Sequence, residues 1–204
     1  MVSKAPIYRA SASRALRQGE IITGLEQTVI NLNTLQRKQG KIDYEVYDIP
    51  HPYAIVVSQD CDLEQDFNLR AKLRVKSDAT LKLRLLESIL FCVVEAADKT
   101  ASEHPLDEVR SSRGFERIVK NKDERFHYFE AILSQNDSVR EGLPELVVEF
   151  KRFFTIPTAE VYKKLRLGLA KRRCQLCSPY LEHFSVRFHY YHSRVALPHD
   201  HTSE

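Results

Sequence analysis

The chain contains no tryptophan and a single methionine, which excludes the Met-rich adaptable surface of a promiscuous binder. Its four cysteines, Cys61, Cys92, Cys174 and Cys177, are few and unevenly spaced, so they do not outline a disulfide scaffold. No apolar run approaches the ~20 residues of a membrane-crossing helix, and Met1–Pro6 opens a polar segment with no secretory h-region. These absences predict a cytoplasmic protein with reduced thiols and no membrane contact. The excess of positive charge is small as well: a net charge of +3 implies nucleic acid only if the basic residues cluster. What remains is an ordinary globular composition, 43% hydrophobic and 29% charged. Its 204 residues are enough to bury a core in one large domain or in a small domain with an insertion.

The most informative stretch is Tyr53–Leu63. Tyr53-Ala54-Ile55-Val56-Val57 has the length and β-branched content of a fully buried strand. It passes directly into Ser58, Gln59, Asp60, Cys61 and Asp62, side chains suited to hydrogen bonding, proton transfer or thiol chemistry. Residues 1–16 lack periodicity and read as a flexible arm. Ile21–Leu25 is the first strand, continued by Val29–Leu32, and Asn33–Lys41 reads as a loop tip. Asp43–Ile49 alternates as a strand with one wet face, and Pro50 and Pro52 are expected to separate it from the buried strand. Asn68–Ser88 fits either helix or strand. Ile89–Val94 is a second core strand, followed by a polar surface excursion from Ala96 to Asp107 and a short helix over Phe115–Asn121. Arg125–Ile132 and Leu146–Phe154 complete the β-rich body. Thr158 is a fitting cap for one helix, and Ser178-Pro179 opens another. In the second helix Leu181, Phe184, Phe188, Tyr191 and Val195 make a stripe at steps of three and four that must pack on something.

Four features carry possible chemistry. Asp60, Asp62, Glu64 and Asp66 fall at every second position, but Gln65 and Ala71 stand where a calcium loop needs Gly and Glu, which leaves a solvated loop face or acid–base work. Cys61 as a nucleophile would need nearby cations or a helix N-terminus, and its neighbours are Asp60 and Asp62. Cys174-Gln-Leu-Cys177 is half of a zinc site, and the other half would have to come from His183, His189, His192, His199 or His201. It is read as a structural, metal-free pair in an interhelical turn, and no cofactor is expected. The strongest signal is basic: Lys163, Lys164, Arg166, Lys171, Arg172 and Arg173 fall within eleven residues. Read as one helix, they lie outside a Val161, Leu165, Leu169 face and form a phosphate-contacting patch.

Gly19-Glu20-Ile21, the Pro52 entry to the buried strand and Ser58 at its end resemble the small barrels of PemK/MazF-type toxins. Val57-Ser58-Gln59-Asp60-Cys61-Asp62-Leu63 is similar to a Ser-Gln-x-Cys-Asp-Leu signature of uncharacterised bacterial proteins encoded among mobile and defence-related genes. Pro179–His183 and Arg194–Pro198 are similar to that family's closing helix. The resemblance implies an α+β fold: an SH3-like small β-barrel over 17–155 with an insertion around 96–122. A C-terminal helical pair over 156–196 would follow, with a disordered tail at 197–204. The expected function is a nucleic-acid-engaging or partner-binding module of a toxin–antitoxin or phage-defence system. Two alternatives stand beside it. One is a metal-independent endoribonuclease, with His51 as acid or base and Ser58, Asp60, Cys61 and Asp62 around the substrate. The other is an oligomeric scaffold that associates through the C-terminal helix. The toxins enter the central strand with Arg-Pro where this chain has His51-Pro52, so their basic site is only partly matched.

Overall fold

The computed structural model describes residues 6–38, 40–75 and 78–194. In chain order the strands are β1 (Tyr8–Ala10), β2 (Glu20–Ile30), β3 (Gln36–Lys38), β4 (Lys41–Asp43) and β5 (Val46–Val56). Helices α1 (Asp60–Val75) and α2 (Ala79–Lys82) lead to β6 (Ser88–Ala96). Then come α3 (Ala97–Glu103), α4 (Asp107–Arg110), α5 (Ser112–Val119) and β7 (Phe126–Phe129). The chain ends with β8 (Leu146–Pro157), α6 (Thr158–Arg166), β9 (Lys171–Leu176) and α7 (Tyr180–Ser193). Seven strands form one sheet in the order β1-β9-β2-β5-β6-β8-β7, every neighbouring pair antiparallel. The class is α+β. The order is open, with β1 and β7 as edges rather than a closed barrel.

Both faces of the sheet are covered, which is why its middle strands are continuously apolar. Ile21, Ile55, Cys92 and Leu176 point to one face, where Phe184 and Phe188 of α7 close the core. Ile22, Ala54, Val56 and Phe91 point to the other, beneath Leu63 of α1 and Val161 of α6. The Tyr53–Val57 run is therefore the central buried strand that its composition predicts. β8 changes sides midway. Cys92 pairs with Phe153 but Val94 with Val148, so β8 uses five residues where β6 uses two. Val148 and Phe150 thus face α7, whereas Phe154 and Ile156 face α1 and α6. A smaller third cluster joins Ala97, Val109 and Ile118 of α3, α4 and α5 to Phe126 and Val147.

Several expectations are corrected. The prolines do not divide the strand: β5 runs through Pro50 and Pro52 because β6 pairs only with Tyr53–Val56. Both prolines therefore sit where β5 has β2 as its one neighbour, and an open edge tolerates a missing N–H. The tip at 33–41 contains a strand, β3, paired with β4. Residues 6–16 are no loose arm, since β1 pairs with β9 and Leu16 is fully buried. The acidic stretch from Asp60 is helix, and 96–107 holds α3 and the start of α4. Thr158 is the first residue of α6, not a side-chain cap. No helical hairpin closes the chain, because β9 lies between α6 and α7 and enters the sheet beside β2. Residues 197–204, with His199 and His201, lie outside the described residues.

Gly24 marks a close approach. Its φ is +77°, and a Cβ there would lie 2.5 Å from the Leu169 carbonyl oxygen. A left-handed conformation costs a side-chain-bearing residue about 1–2 kcal/mol before any clash. Gly24→Ala is expected to lower stability by at least about 2 kcal/mol in urea unfolding. An unchanged midpoint would mean that the β2–β9 crossing has slack there.

Candidate nucleic-acid interface

The polar end of the central strand is a structural junction. Ser58 Oγ accepts from the Leu90 N–H at 2.9 Å. Asp60 opens α1, where a carboxylate suits the positive end of the helix. It accepts from Gln18 N at 2.6 Å and Arg17 Nη2 at 2.8 Å. Arg17 Nη1 also reaches Glu64 at 3.3 Å. Asp66 is buried and accepts from Arg70 Nε at 2.7 Å and Leu86 N at 3.0 Å. Asp62 and Cys61 are exposed in the first turn, and the Cys61 sulfur has Gln59 and Asp62 as its polar neighbours at 3.6 and 3.7 Å. So the loop-face reading of the acids gives way to a helix with one carboxylate facing inward.

His51 is not part of this group. It lies seven residues before Ser58, roughly 20 Å along an extended strand. Its ring stacks on Phe154 at 3.7 Å between centroids. Burial first, and then Arg152, hold its pKa below the usual imidazole range. The candidate cluster His51, Ser58, Asp60, Cys61, Asp62 is therefore not assembled in space.

The basic run divides as well. Lys171, Arg172 and Arg173 lie on β9, not on a helix, so alternation turns side chains inward. Arg173 is 6% exposed and donates to both carboxylate oxygens of Asp137 at 2.9 and 2.7 Å. Burial would raise the pKa of Asp137, but the Arg173 hydrogen bonds and the N–H groups of Val139 and Gly142 bring it down to about 2. Arg172 pairs with Glu20, which is fully buried, and donates to the carbonyls of Ser13 and Ala15. Lys164 of α6 is held by Glu26 and Glu160, each at 3.4 Å. The expectation that these arginines avoid the core is thus overturned. Lys163, Arg166 and Lys171 stand exposed.

Lys163 and Arg166 are joined by residues that the sequence did not mark. A groove of about 520 Å³ between α1 and α6 is lined by Arg70, Arg74, Lys163 and Arg166 around Phe67 and Tyr162, with no acidic side chain among the described residues of its wall. Among the described residues Arg74, Lys163 and Arg166 make no ion pair. Arg70 is fixed by Asp66 and by the Leu86 carbonyl at 3.1 Å. The rings of Phe67 and Tyr162 lie 6.2 Å apart and tilted by 51°. Guanidinium and ammonium groups bind phosphate oxygens, and an aromatic floor stacks a base. Protein-family models, curated proteins and solved structures give no match to this chain. Arg70, Arg74 and Phe67 could have been found from sequence only once α1 was recognised, when Asp66, Phe67, Arg70 and Arg74 fall on neighbouring turns at steps of three and four.

Two further groups of polar side chains lie elsewhere in the fold. Cys174 is buried within β9 and Cys177 is half-buried just after it, so the pair is not in an interhelical turn. Among the described residues no three His, Cys, Asp or Glu side chains gather as a metal site. His192 Nε2 lies 3.0 Å from the Phe150 carbonyl and His189 Nδ1 lies 2.7 Å from that of Ser185, both along α7. At the β8 irregularity, buried Glu149 lies 3.6 Å from His104 and 3.0 Å from Lys151, and Arg152 pairs with Glu95 at 2.9 Å. There the local cations and anions balance.

Proposed function

We propose that this protein is a nucleic-acid-engaging module whose contact surface is the α1–α6 groove. The reading is supported by one observation above all: four basic side chains from two separate helices line a groove around a pair of aromatic rings, with no acid among the described residues of its wall. Phosphates would meet Arg74, Lys163 and Arg166, with Arg70 held in place behind them. A groove with a ring at its floor favours a strand whose bases are unstacked, so single-stranded RNA or DNA is the preferred ligand over duplex. The toxin–antitoxin or phage-defence setting, and the likeness to PemK/MazF-type barrels, rest on the Ser58–Leu63 signature and the order of elements. The endoribonuclease alternative loses its proposed centre, because His51 lies midway along β5, seven residues before Ser58, which follows the end of that strand.

Salt dependence tests the phosphate contacts. Each one contributes a slope of about −0.7 to −0.9 in log K against log salt. Arg74→Gln, Lys163→Gln and Arg166→Gln together are expected to flatten the slope by about two to three units without changing the melting temperature. Phe67→Ala is expected to weaken single-strand binding by about 1–3 kcal/mol and to leave the slope alone. A parent protein that binds neither form, or a triple variant with the parental slope, would remove the groove from consideration.

A further inference from the structure

The molecule leaves one apolar ribbon without a second layer. β2 pairs with β9 only over Glu20–Thr23, and β5 pairs with β6 only over Tyr53–Val56. Beyond these points Leu25–Ile30 and Val46–His51 pair with each other alone, and β3–β4 continues as a separate two-stranded tip. Ile30, Leu32, Leu35, Ile42, Val46 and Tyr47 each expose 45% to 75% of their surface along this ribbon. No other part of the described chain gathers so many exposed large apolar side chains. A two-stranded ribbon is marginal in water unless another layer covers it; Ile30 and Val46 are cross-strand partners and share one of its faces, while Tyr47, the next residue along β5, turns to the other.

The charges indicate the occupant. Arg37, Lys38 and Lys41 stand at the tip and Glu45 and Asp48 toward the base, with Asp43 between them. With Glu26 of β2 the ribbon carries four acids against three bases, and Lys38 is already paired with Asp43 at 3.1 Å, so it offers no positive field to a polyanion or an anionic membrane. Their separation along its length gives the ribbon a polarity that a copy of itself, laid in the opposite direction, complements. The registers place these charges beside the apolar residues. Arg37 is the cross-strand partner of Ile42, and Asp48 shares a face with Val46, two residues away on β5. Asp48 accepts a hydrogen bond from the Thr28 hydroxyl at 2.6 Å, which orients the carboxylate.

We infer that the β2–β5 ribbon is a self-association surface, through which two copies dock antiparallel. The Arg37 end of each copy meets the Asp48 end of the other, across the apolar residues between. Such a contact is isologous and closes at a dimer. The apolar stripe of α7 is not available for this role, because Phe184 and Phe188 are buried against the sheet.

The test is sedimentation equilibrium of the full chain with three variants, all at exposed positions. The parent is expected to dimerise in the micromolar range or tighter, and Ile42→Asp to weaken dimerisation at least a hundredfold with an unchanged melting temperature. Arg37→Asp and Asp48→Arg, each alone, are expected to weaken it at least tenfold. An equimolar mixture of those two is expected to recover association as a heterodimer, since each reversed end then meets an opposite charge. A monomeric parent at 100 µM would overturn the inference. So would a dimer indifferent to Ile42→Asp, or charge-reversed chains that fail to recover on mixing.

Discussion

Arg173→Ala is expected to destabilise the protein by about 3–5 kcal/mol, the usual loss when one partner of a buried ion pair is removed. The reason lies in what remains. Asp137 is 2% exposed, and without the guanidinium its charge has no counter-ion in contact. Three backbone N–H groups, of Val139, Glu141 and Gly142, still bind it at 3.1, 3.1 and 2.9 Å, which keeps the loss near the lower end. Arg173 also donates to the Gly142 carbonyl at 3.0 Å, so the loop after Asp137 loosens with it. Urea unfolding of Arg173→Ala, Asp137→Asn and the double variant gives the coupling directly. Additive losses would mean that the pair has no more worth than an exposed one. The pH dependence gives an independent check. The folded pKa of Asp137 is depressed to about 2, so its contribution is full above the unfolded carboxylate pKa near 4. It is lost as the pH falls through 2, an effect of about 2–3 kcal/mol that Arg173→Ala should largely abolish.

Acidification should also expose a second buried group, His127, at a higher pH. Its imidazole is enclosed by Phe129, Phe150, Phe184 and His183, at 4.7, 6.4, 5.3 and 5.4 Å between ring centroids, and its Nδ1 has no hydrogen-bond partner among the described residues. Burial, followed by the charges of Arg187 and His183, pushes its pKa from 6.5 down to about 3. Between those values the unfolded chain binds a proton that the folded chain refuses. Stability is therefore unaffected above pH 6.5 and declines as the pH falls toward 3. At about 1.4 kcal/mol per pH unit, the loss at pH 4 is on the order of 3 kcal/mol. His127→Phe removes the titrating group and the orphaned nitrogen from an aromatic box of the right shape. It is expected to flatten the decline between pH 6.5 and 4, leaving the weaker contributions of His51 and His183, whose pKa values are also lowered. Parallel stability curves for parent and variant across this range would show that the site admits water or a proton.

The parts of this protein that were legible in its sequence are those governed by local pattern. Continuous apolar runs identified β5 and β6, because strands buried on both faces cannot alternate, and steps of three and four identified α7, because one stripe meets the sheet. Ser178-Pro179 marked the start of α7 to within one residue: Pro179 is the N-cap rather than the first helical residue, and Ser178 makes no cap. Tertiary structure decided what those patterns leave open. Pro50 and Pro52 signal a break, yet they sit in a strand because β6 ends its pairing before reaching them. Asp60–Asp66 reads as a solvated acidic loop, yet it begins a helix, and Asp66 turns inward because the Leu86 N–H and Arg70 lie within its reach. Lys163–Arg173 is one basic run in sequence but two elements in space. Burial opposite Glu20 and Asp137 takes Arg172 and Arg173 out of the surface, while α1 brings Arg70 and Arg74 to Lys163 and Arg166. Periodicity is a property of consecutive residues, whereas the partner of a charge is set by the sheet order, which the spacing of residues along the chain does not encode.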